Sequence, residues 1–272
     1  MTRAFDRDLR LVLVIRTGEE EEARRMISLW RDAFSQLAPD GLGFCLWVTG
    51  VTPAAPKDLD ACVHTLRLNP LIDGYRRDAR EQMTWSPWGQ KSGPNYQFFK
   101  ILSMMPQLHK EQWLLQLELD TFPLRKVNRS DLSCLFDSDE YWVGGTVSQK
   151  LRKRGSSHVT PEHINGAAFY KFGDPEFIEF LNQTWAPSMI HILRRRPALA
   201  YDVVNSPANT ETLPTALKNQ WSSNRHRFLG LAGMGINVTD HRDTNKLDSA
   251  TAVGHWFTHQ LGTAHHTREE AL

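Results

Sequence analysis

The sequence predicts an α/β chain built on a doubly wound sheet. Leu9 to Ile15 is a continuous apolar run, the mark of a parallel strand buried on both faces. A helical pattern follows it, and then a second apolar run, Phe44 to Thr49, so the chain opens strand, helix, strand. Further on, the apolar stretch Leu114 to Leu124, LLQLELDTFPL, breaks off into two carboxylates. In doubly wound sheets ligands bind at the carboxyl ends of the strands. The residues that close each apolar run are therefore the first place to look for function.

Composition bounds the answer before any motif does. At 272 residues, 40% hydrophobic and 23% charged, the chain is ordinary globular material, with length enough for a large core. A formal net charge of +1 argues against bulk electrostatic capture of nucleic acid. Cys45, Cys62 and Cys134 are widely spaced and form neither a zinc spacing nor a disulfide framework, which fits a reducing, cytoplasmic setting. No stretch approaches the roughly 18 apolar residues of a membrane span. There is no internal repeat and no low-complexity linker, so a single domain over 1–272 is expected.

In chain order, the first strand ends at Arg16 and Thr17, which reach the carboxyl edge of the sheet. Glu19 to Glu22 open the next helix, where acids complement its dipole, and Met26, Leu29, Trp30, Ala33, Phe34 and Leu37 recur at helical spacing. Pro39-Asp40-Gly41 stops it. Leu59 to Met83 is mixed and yields no element. The turn-rich segment Trp85 to Gly93 feeds a helix from about Asn95 to Met105, whose N-terminus, beside Ser92 and Gly93, offers backbone N–H groups to an anion or a sugar hydroxyl. Lys100 interrupts the apolar face of that helix.

Glu118 and Asp120 stand one residue apart at the end of the Leu114 strand, so on an extended chain they point the same way. Two like charges there repel and pay desolvation unless a cation lies between them, and oxygen ligands suit Mg2+ or Mn2+. Pro123 is expected to end the strand, having no N–H for the ladder. Lys126 to Asp139 reads as a polar linker and Tyr141 to Val147 as the next strand. Gln149 to His158, with Lys150, Arg152, Lys153 and Arg154, reads as a mobile basic loop. His163 to Tyr170 is a strand with a polar head, Asp174-Pro175-Glu176 starts a helix, and Val253 to Phe257 is a late apolar patch carrying His255.

Together these pieces resemble the nucleotide-sugar glycosyltransferases of the GT-A fold, distantly in the motif order of glycogenin-like enzymes. The likeness runs from about Leu9 to Gly262 and is sharpest between Ser92 and Tyr170. LELDTFPL resembles the Asp-x-Asp segment of that family as an E-x-D variant, SGPNYQFFKIL the helix before it, HINGAAFY the strand lining the sugar pocket, and VGHWFTHQLG the segment whose histidine completes the metal shell. The resemblance implies a mixed, mainly parallel sheet flanked by helices, with a nucleotide-sugar half over about 1–125 and an acceptor half over about 126–262. It implies Mn2+ or Mg2+ at Glu118, Asp120 and His255, and donor contacts from Arg16, Thr17, Ser92, Gly93, Lys100, Glu118, Asp120, Asn165 and Gly166. The donor would be a UDP- or GDP-sugar and the acceptor a glycan or a lipid-linked group, with contact to a membrane surface through the cations of the basic loop. Asp202 resembles the acidic position that contacts sugar or acceptor. The resemblance would make it the base of an inverting enzyme, or the residue that holds a sugar hydroxyl in a retaining one.

Two other classes share these carboxylates. A metal-dependent phosphoester hydrolase would need further Asp or His ligands for a two-metal clamp, and none stands at a convincing spacing. A sugar-binding protein of the same fold would keep the pocket without turnover. No G-x-x-x-x-G-K-[ST] and no G-x-G-x-x-G follows a strand, which excludes a phosphate loop or a dinucleotide fingerprint.

Overall fold

The computed structural model describes residues 8–38, 42–70, 72, 86–119, 121–148, 151–152, 159–160, 163–231, 235–237 and 257–259. Strand β1 (Leu9–Arg16) lies between β2 (Gly43–Gly50) and β4 (Trp113–Leu117) and runs parallel to both, with Leu11 opposite Phe44 on one side and Leu115 on the other. β3 (Cys62–Arg67) extends the sheet outward from β2 as a parallel edge strand. On the other flank β9 (His163–Tyr170) pairs antiparallel with β4 and with β6 (Val143–Ser148), and β6 pairs parallel with β10 (Phe228–Gly230). The strand order is β3-β2-β1-β4-β9-β6-β10, and β9 alone runs against the others. This is the mixed, mainly parallel sheet that the resemblance implies.

Alternation along β1 assigns each face its own helices, because successive side chains point to opposite sides. Leu11, Leu13 and Ile15 meet helix α1 (Glu20–Phe34) through Met26, Ile27, Trp30 and Phe34. Val12 faces the other layer with Cys45, Trp47 and Leu114, against helix α2 (Ser92–Leu108). Helix α3 (Arg129–Phe136) completes the first layer with Leu132 and Leu135. Helices α4 (Pro175–Phe180) and α5 (Ala186–Leu193), joined through a π-helical turn at Leu181–Trp185, complete the second.

Four local readings need correction. Lys126 to Asp139 is no linker: Asn128 and Asp131 form a reciprocal capping box that starts α3, and Asp131 is also gripped by Arg125 at 2.8 Å through both nitrogens. Helix α2 begins at Ser92 rather than near Asn95 and runs past Pro106 to Leu108. β4 stops at Leu117, and Thr121 N–H donates to the Glu118 carbonyl (3.0 Å), so Glu118 lies in a turn past the strand rather than on it, while Asp120 lies outside the described residues. Pro123 does not end β4; with Phe122 it forms a separate short strand, β5 (Phe122–Pro123).

Beyond β6, Leu151–Arg152 (β7) and Val159–Thr160 (β8) pair antiparallel, so Leu151 and Arg152 of the expected loop lie in a short strand, and residues 149–150 and 153–158 lie outside the described residues. Two further short strands, β11 (Gly235–Asn237) and β12 (Phe257–His259), lie parallel to one another, and β12 pairs antiparallel with β5, Phe257 opposite Pro123. Chain from the C-terminal region therefore meets chain that has just left the Glu118 turn. Among the described residues no helix is long and apolar enough to cross a membrane.

Candidate active site at the carboxyl edge of the sheet

The turn after β4 is fixed from both sides. Thr121 is fully buried, its carbonyl accepts from Trp30 Nε1 (3.0 Å), and its hydroxyl accepts from the Glu118 N–H (3.3 Å). These contacts place Glu118 just past the carboxyl end of the central strands. Gln116, two residues earlier, is buried and donates from Nε2 to the Tyr201 hydroxyl at 2.7 Å. That hydroxyl donates in turn toward Glu118 Oε1 at 3.5 Å.

Tyr201 opens a short 3-10 segment, Tyr201–Asn205, that brings Asp202 to the same place. The tyrosine ring stacks on Phe98 of α2, centroids 3.9 Å apart and planes 13° from parallel. Burial first, and then the Glu118 carboxylate, push the Tyr201 phenol well above its usual range, so it keeps its proton and remains a donor. Asn205 ties the segment to β9 by two hydrogen bonds of 2.9 Å, accepting from the Ile164 N–H and donating to the Ile164 carbonyl. Arg225, also partly buried, donates to the Asn205 carbonyl and to Thr210.

Strand β9 passes directly beneath. Its Gly166 N–H donates to Asp202 Oδ2 (3.1 Å), and its carbonyl accepts from the Tyr170 hydroxyl (2.9 Å). A Cβ at Gly166 would fall 2.2 Å from the Tyr201 hydroxyl, so only glycine lets the two elements approach this closely. His163 Nε2 lies 3.6 Å from Asp202 Oδ2, and the Val203 N–H donates to Asp202 Oδ1 (3.0 Å). Two carboxylates thus gather around one buried phenol, with the Asp202 carboxylate held by two backbone N–H groups. That arrangement can orient a hydroxyl or receive its proton.

The remaining expected residues fall as follows. Arg16 and Thr17 are exposed at the end of β1; the Arg16 N–H donates to Glu19 Oε2 (2.7 Å), and the Thr17 hydroxyl accepts from the Ala54 N–H (3.4 Å). Ser92 and Gly93 are buried in the first turn of α2, and the Ser92 hydroxyl donates to the Ile72 carbonyl (2.7 Å). Lys100 is exposed on α2, one turn after Gln97, which donates to Thr49 Oγ1 (3.0 Å) and so anchors the helix at the carboxyl end of β2. The backbones of Asn165 and Arg152 lie in β9 and β7. Asp120, His255, Lys150, Lys153 and Arg154 lie outside the described residues.

Sequence reasoning named Glu118, Gly166 and Asp202 but missed Gln116, Tyr201 and Asn205, which hold them. It also missed a second cluster. Among the described residues, one set of metal-ligating side chains converges: atoms of Cys45, His64 and His109 all lie within 4.8 Å of one another. The three cysteines that show no zinc spacing in the sequence include two that the fold makes partners, since Cys45 is opposite Cys62 in the β2–β3 pair. This group sits at the amino edge of the sheet. The β4 strand, flanked by Glu111 and Glu118, separates it from the carboxylates by roughly 20 Å at strand rise. Burial pushes the Cys45 thiol up to about 12 and, with Arg10 adding to it, the His109 imidazole down to about 4. Sulfur and imidazole donors do not suit Mg2+ or Mn2+, so the oxygen-ligated centre expected at Glu118 is a separate matter.

No family model and no curated protein matches the chain. Among solved structures it is similar in chain course to mouse xyloside xylosyltransferase 1 in its apo form, at 12% identity and a TM-score of 0.47, over 93% of this chain and 97% of that one. It is similar to galactosyltransferase LgtC in complex with donor and acceptor sugar analogs, at 11% and 0.47, over 94% and 88%. A third likeness is to the apo form of glycosyltransferase GlyE of Streptococcus pneumoniae TIGR4, at 11% and 0.45, over 94% and 55%.

Proposed function

We propose that this chain transfers a sugar from a nucleoside-diphosphate sugar to a glycan or lipid-linked acceptor at the carboxyl edge of its sheet. The observation that carries the proposal is the meeting of Glu118, Asp202 and the Gly166 backbone around Tyr201 at the end of the central strands. Ligands of open α/β sheets bind at that edge, and sugar transfer needs what these residues offer: oxygen ligands facing the diphosphate and a carboxylate facing a hydroxyl.

In this reading Asp202 is the acidic residue that works on the sugar or acceptor. Its two oxygens are already oriented by the Gly166 and Val203 N–H groups, so little reorganisation accompanies the reaction. Tyr201, kept protonated, holds Glu118 toward the site. Oxygen donors at Glu118 fit Mn2+ or Mg2+; with Asp120 and His255 as proposed further ligands, such an ion would neutralise charge developing on the leaving diphosphate. The pairing of β12 with β5 supports this set, because it joins the C-terminal chain to chain following the turn. Arg16 and Lys100 are the proposed cationic contacts to the donor. The basic residues Lys150, Arg152, Lys153 and Arg154 are proposed to meet an anionic acceptor such as an acidic glycan or a lipid phosphate.

Binding tests the donor half alone. Thermal unfolding should be followed with UDP, GDP and their monophosphates, each with Mn2+ and with EDTA. A bound diphosphate raises the midpoint by mass action, so a rise that needs both a diphosphate and Mn2+, and that Glu118→Gln abolishes, supports the reading. A midpoint that no nucleotide moves contradicts it.

A further inference from the structure

We propose that the amino edge of the sheet holds a second, structural metal site of the Cys2His2 class, with Cys45, Cys62, His64 and His109 as ligands to Zn2+. This site lies at the edge of the sheet opposite Glu118 and Asp202 and takes no part in sugar transfer.

The ligands arrive on three elements. Cys45 comes from β2, and Cys62 and His64 come from β3, where a spacing of two sets both side chains on one face of the strand. The parallel register puts Cys45 beside Cys62 and Trp47 beside His64, so that face of β3 continues the face of β2 that turns toward α2. His109 is the residue that ends α2. Cys62 Sγ is 3.4 Å from His64 Nε2, and His64 Nε2 is 3.1 Å from His109 Nε2. Tetrahedral Zn2+ with Zn–N near 2.0–2.1 Å and Zn–S near 2.3 Å sets its ligand atoms about 3.3–3.8 Å apart. The Cys62–His64 and His64–His109 contacts already stand near that scale; Cys62 Sγ lies outside the mutually close set of Cys45, His64 and His109 and reaches the other two by turning its exposed side chain inward. The widest allowed separation in the Cys45, His64 and His109 set, 4.8 Å, closes to it with side-chain shifts of about 1 Å.

The surroundings match a metal centre better than a chance histidine pair. His109 turns Nε2 toward the cluster and Nδ1 toward Glu111 Oε2, 3.9 Å away. That oxygen is buried and has no hydrogen-bond partner, while the other oxygen of Glu111 is held by Arg10. A carboxylate behind a ligating histidine fixes the ring and raises its basicity, the usual outer shell of a zinc histidine. The Trp47 ring lies over His64 at 4.8 Å, and His109 meets His64 edge-on at 5.2 Å, so both imidazoles are confined. Two thiolates and two neutral imidazoles give Zn2+ a neutral complex, and binding releases the two thiol protons to solvent. The consequence is mechanical. Among the described residues β3 has one strand neighbour, β2, and the ion would clamp it to β2 and to the end of the helix that carries Lys100.

The test uses the whole chain, reduced with a phosphine, stripped of metal and titrated with CoCl2, then with ZnCl2. One equivalent of Co2+ should give the strong visible bands of a tetrahedral ion and a near-ultraviolet thiolate-to-cobalt charge-transfer band, and Zn2+ should bleach both. The carboxylate edge cannot produce the charge-transfer band, since it offers no sulfur. Cys62→Ser alters an exposed side chain, so the fold tolerates it. It should weaken Zn2+ at least tenfold and reduce the band, and Glu111→Gln should weaken Zn2+ about 10–100-fold with the band retained. Absence of a thiolate band in the wild-type chain at stoichiometric cobalt overturns the proposal, as does an unchanged Zn2+ affinity in Cys62→Ser combined with His64→Gln.

Discussion

Replacing Gly166 by alanine places a Cβ 2.2 Å from the Tyr201 hydroxyl and 2.8 Å from the carbon that bears it. Ordinary carbon contact needs more than 3.4 Å, so about 1 Å of separation has to be found. Tyr201 has little room to supply it. Its ring is stacked on Phe98, its hydroxyl accepts from Gln116, and its carbonyl accepts from Trp185 Nε1 at 3.1 Å. Overpacking of a fixed core side chain costs about 1–3 kcal/mol, which is the loss of stability expected for Gly166→Ala. Tyr201→Phe removes the clashing oxygen but leaves Gln116 Nε2 without that acceptor, a cost of about 1–3 kcal/mol by itself. The double variant should therefore be less destabilised than the sum of the two, by about 1 kcal/mol or more. Urea unfolding of the four proteins measures the cycle. Because Asp202 adjoins Tyr201 and accepts from the Gly166 N–H, Gly166→Ala should also lower kcat more than it raises the donor KM. If Gly166→Ala unfolds within about 0.5 kcal/mol of wild type, or if the two changes simply add, the close approach of β9 to the Tyr201 segment is not what positions Asp202.

Three other outcomes follow from the same geometry. Glu118→Gln and Asp202→Asn should each lower kcat/KM by a factor of about 100 or more while leaving the circular dichroism spectrum unchanged, since both substitutions keep the shape of the side chain. Asp131→Ala should cost about 1–2 kcal/mol at neutral pH by removing the capping box and the Arg125 pair. Burial works against the charge of Asp131, but the Arg125 and Asn128 hydrogen bonds outweigh it and hold its carboxyl below the usual value. The stability it supplies is therefore present above the unfolded-state value near 3.8 and is lost as pH falls through the lower folded one, so wild type and variant should converge in strong acid. Changing Lys150, Arg152, Lys153 and Arg154 together to Ser should raise the KM of an anionic acceptor and flatten its salt dependence, with donor KM unmoved. Equal salt slopes in the two proteins would remove any acceptor role from that segment.

How far the chain could be read from its sequence follows from where each element lies. β1 and β2 are legible because strands buried on both faces leave continuous apolar runs, and α1 because its buried residues recur at helical spacing. β3 escapes because an edge strand buries little: Cys62-Val-His-Thr-Leu-Arg mixes polar and apolar positions, and only Leu66 is fully covered. Helix α3 is short, with few buried residues, and its one sequence signal is the Asn128/Asp131 cap. Glu118 and Asp202 stand out as carboxylates beside apolar runs. Tyr201, Gln116 and Asn205 do not, because their roles rest on contacts spanning 41 to 85 residues that only the sheet order creates. The Cys/His cluster is hidden for the same reason, its ligands being drawn together by strand register and by the end of a helix.

Turnover is the most direct test of the central claim. Wild type, Glu118→Gln and Asp202→Asn should be incubated with UDP- and GDP-sugars, in Mn2+ or in EDTA, with and without glycan acceptors, and the nucleotide product identified. The account predicts release of nucleoside diphosphate by the wild type, faster when acceptor is present, abolished by EDTA and reduced about 100-fold or more in both variants. Release of nucleoside monophosphate with sugar phosphate, or diphosphate release that neither EDTA nor either substitution affects, would contradict it.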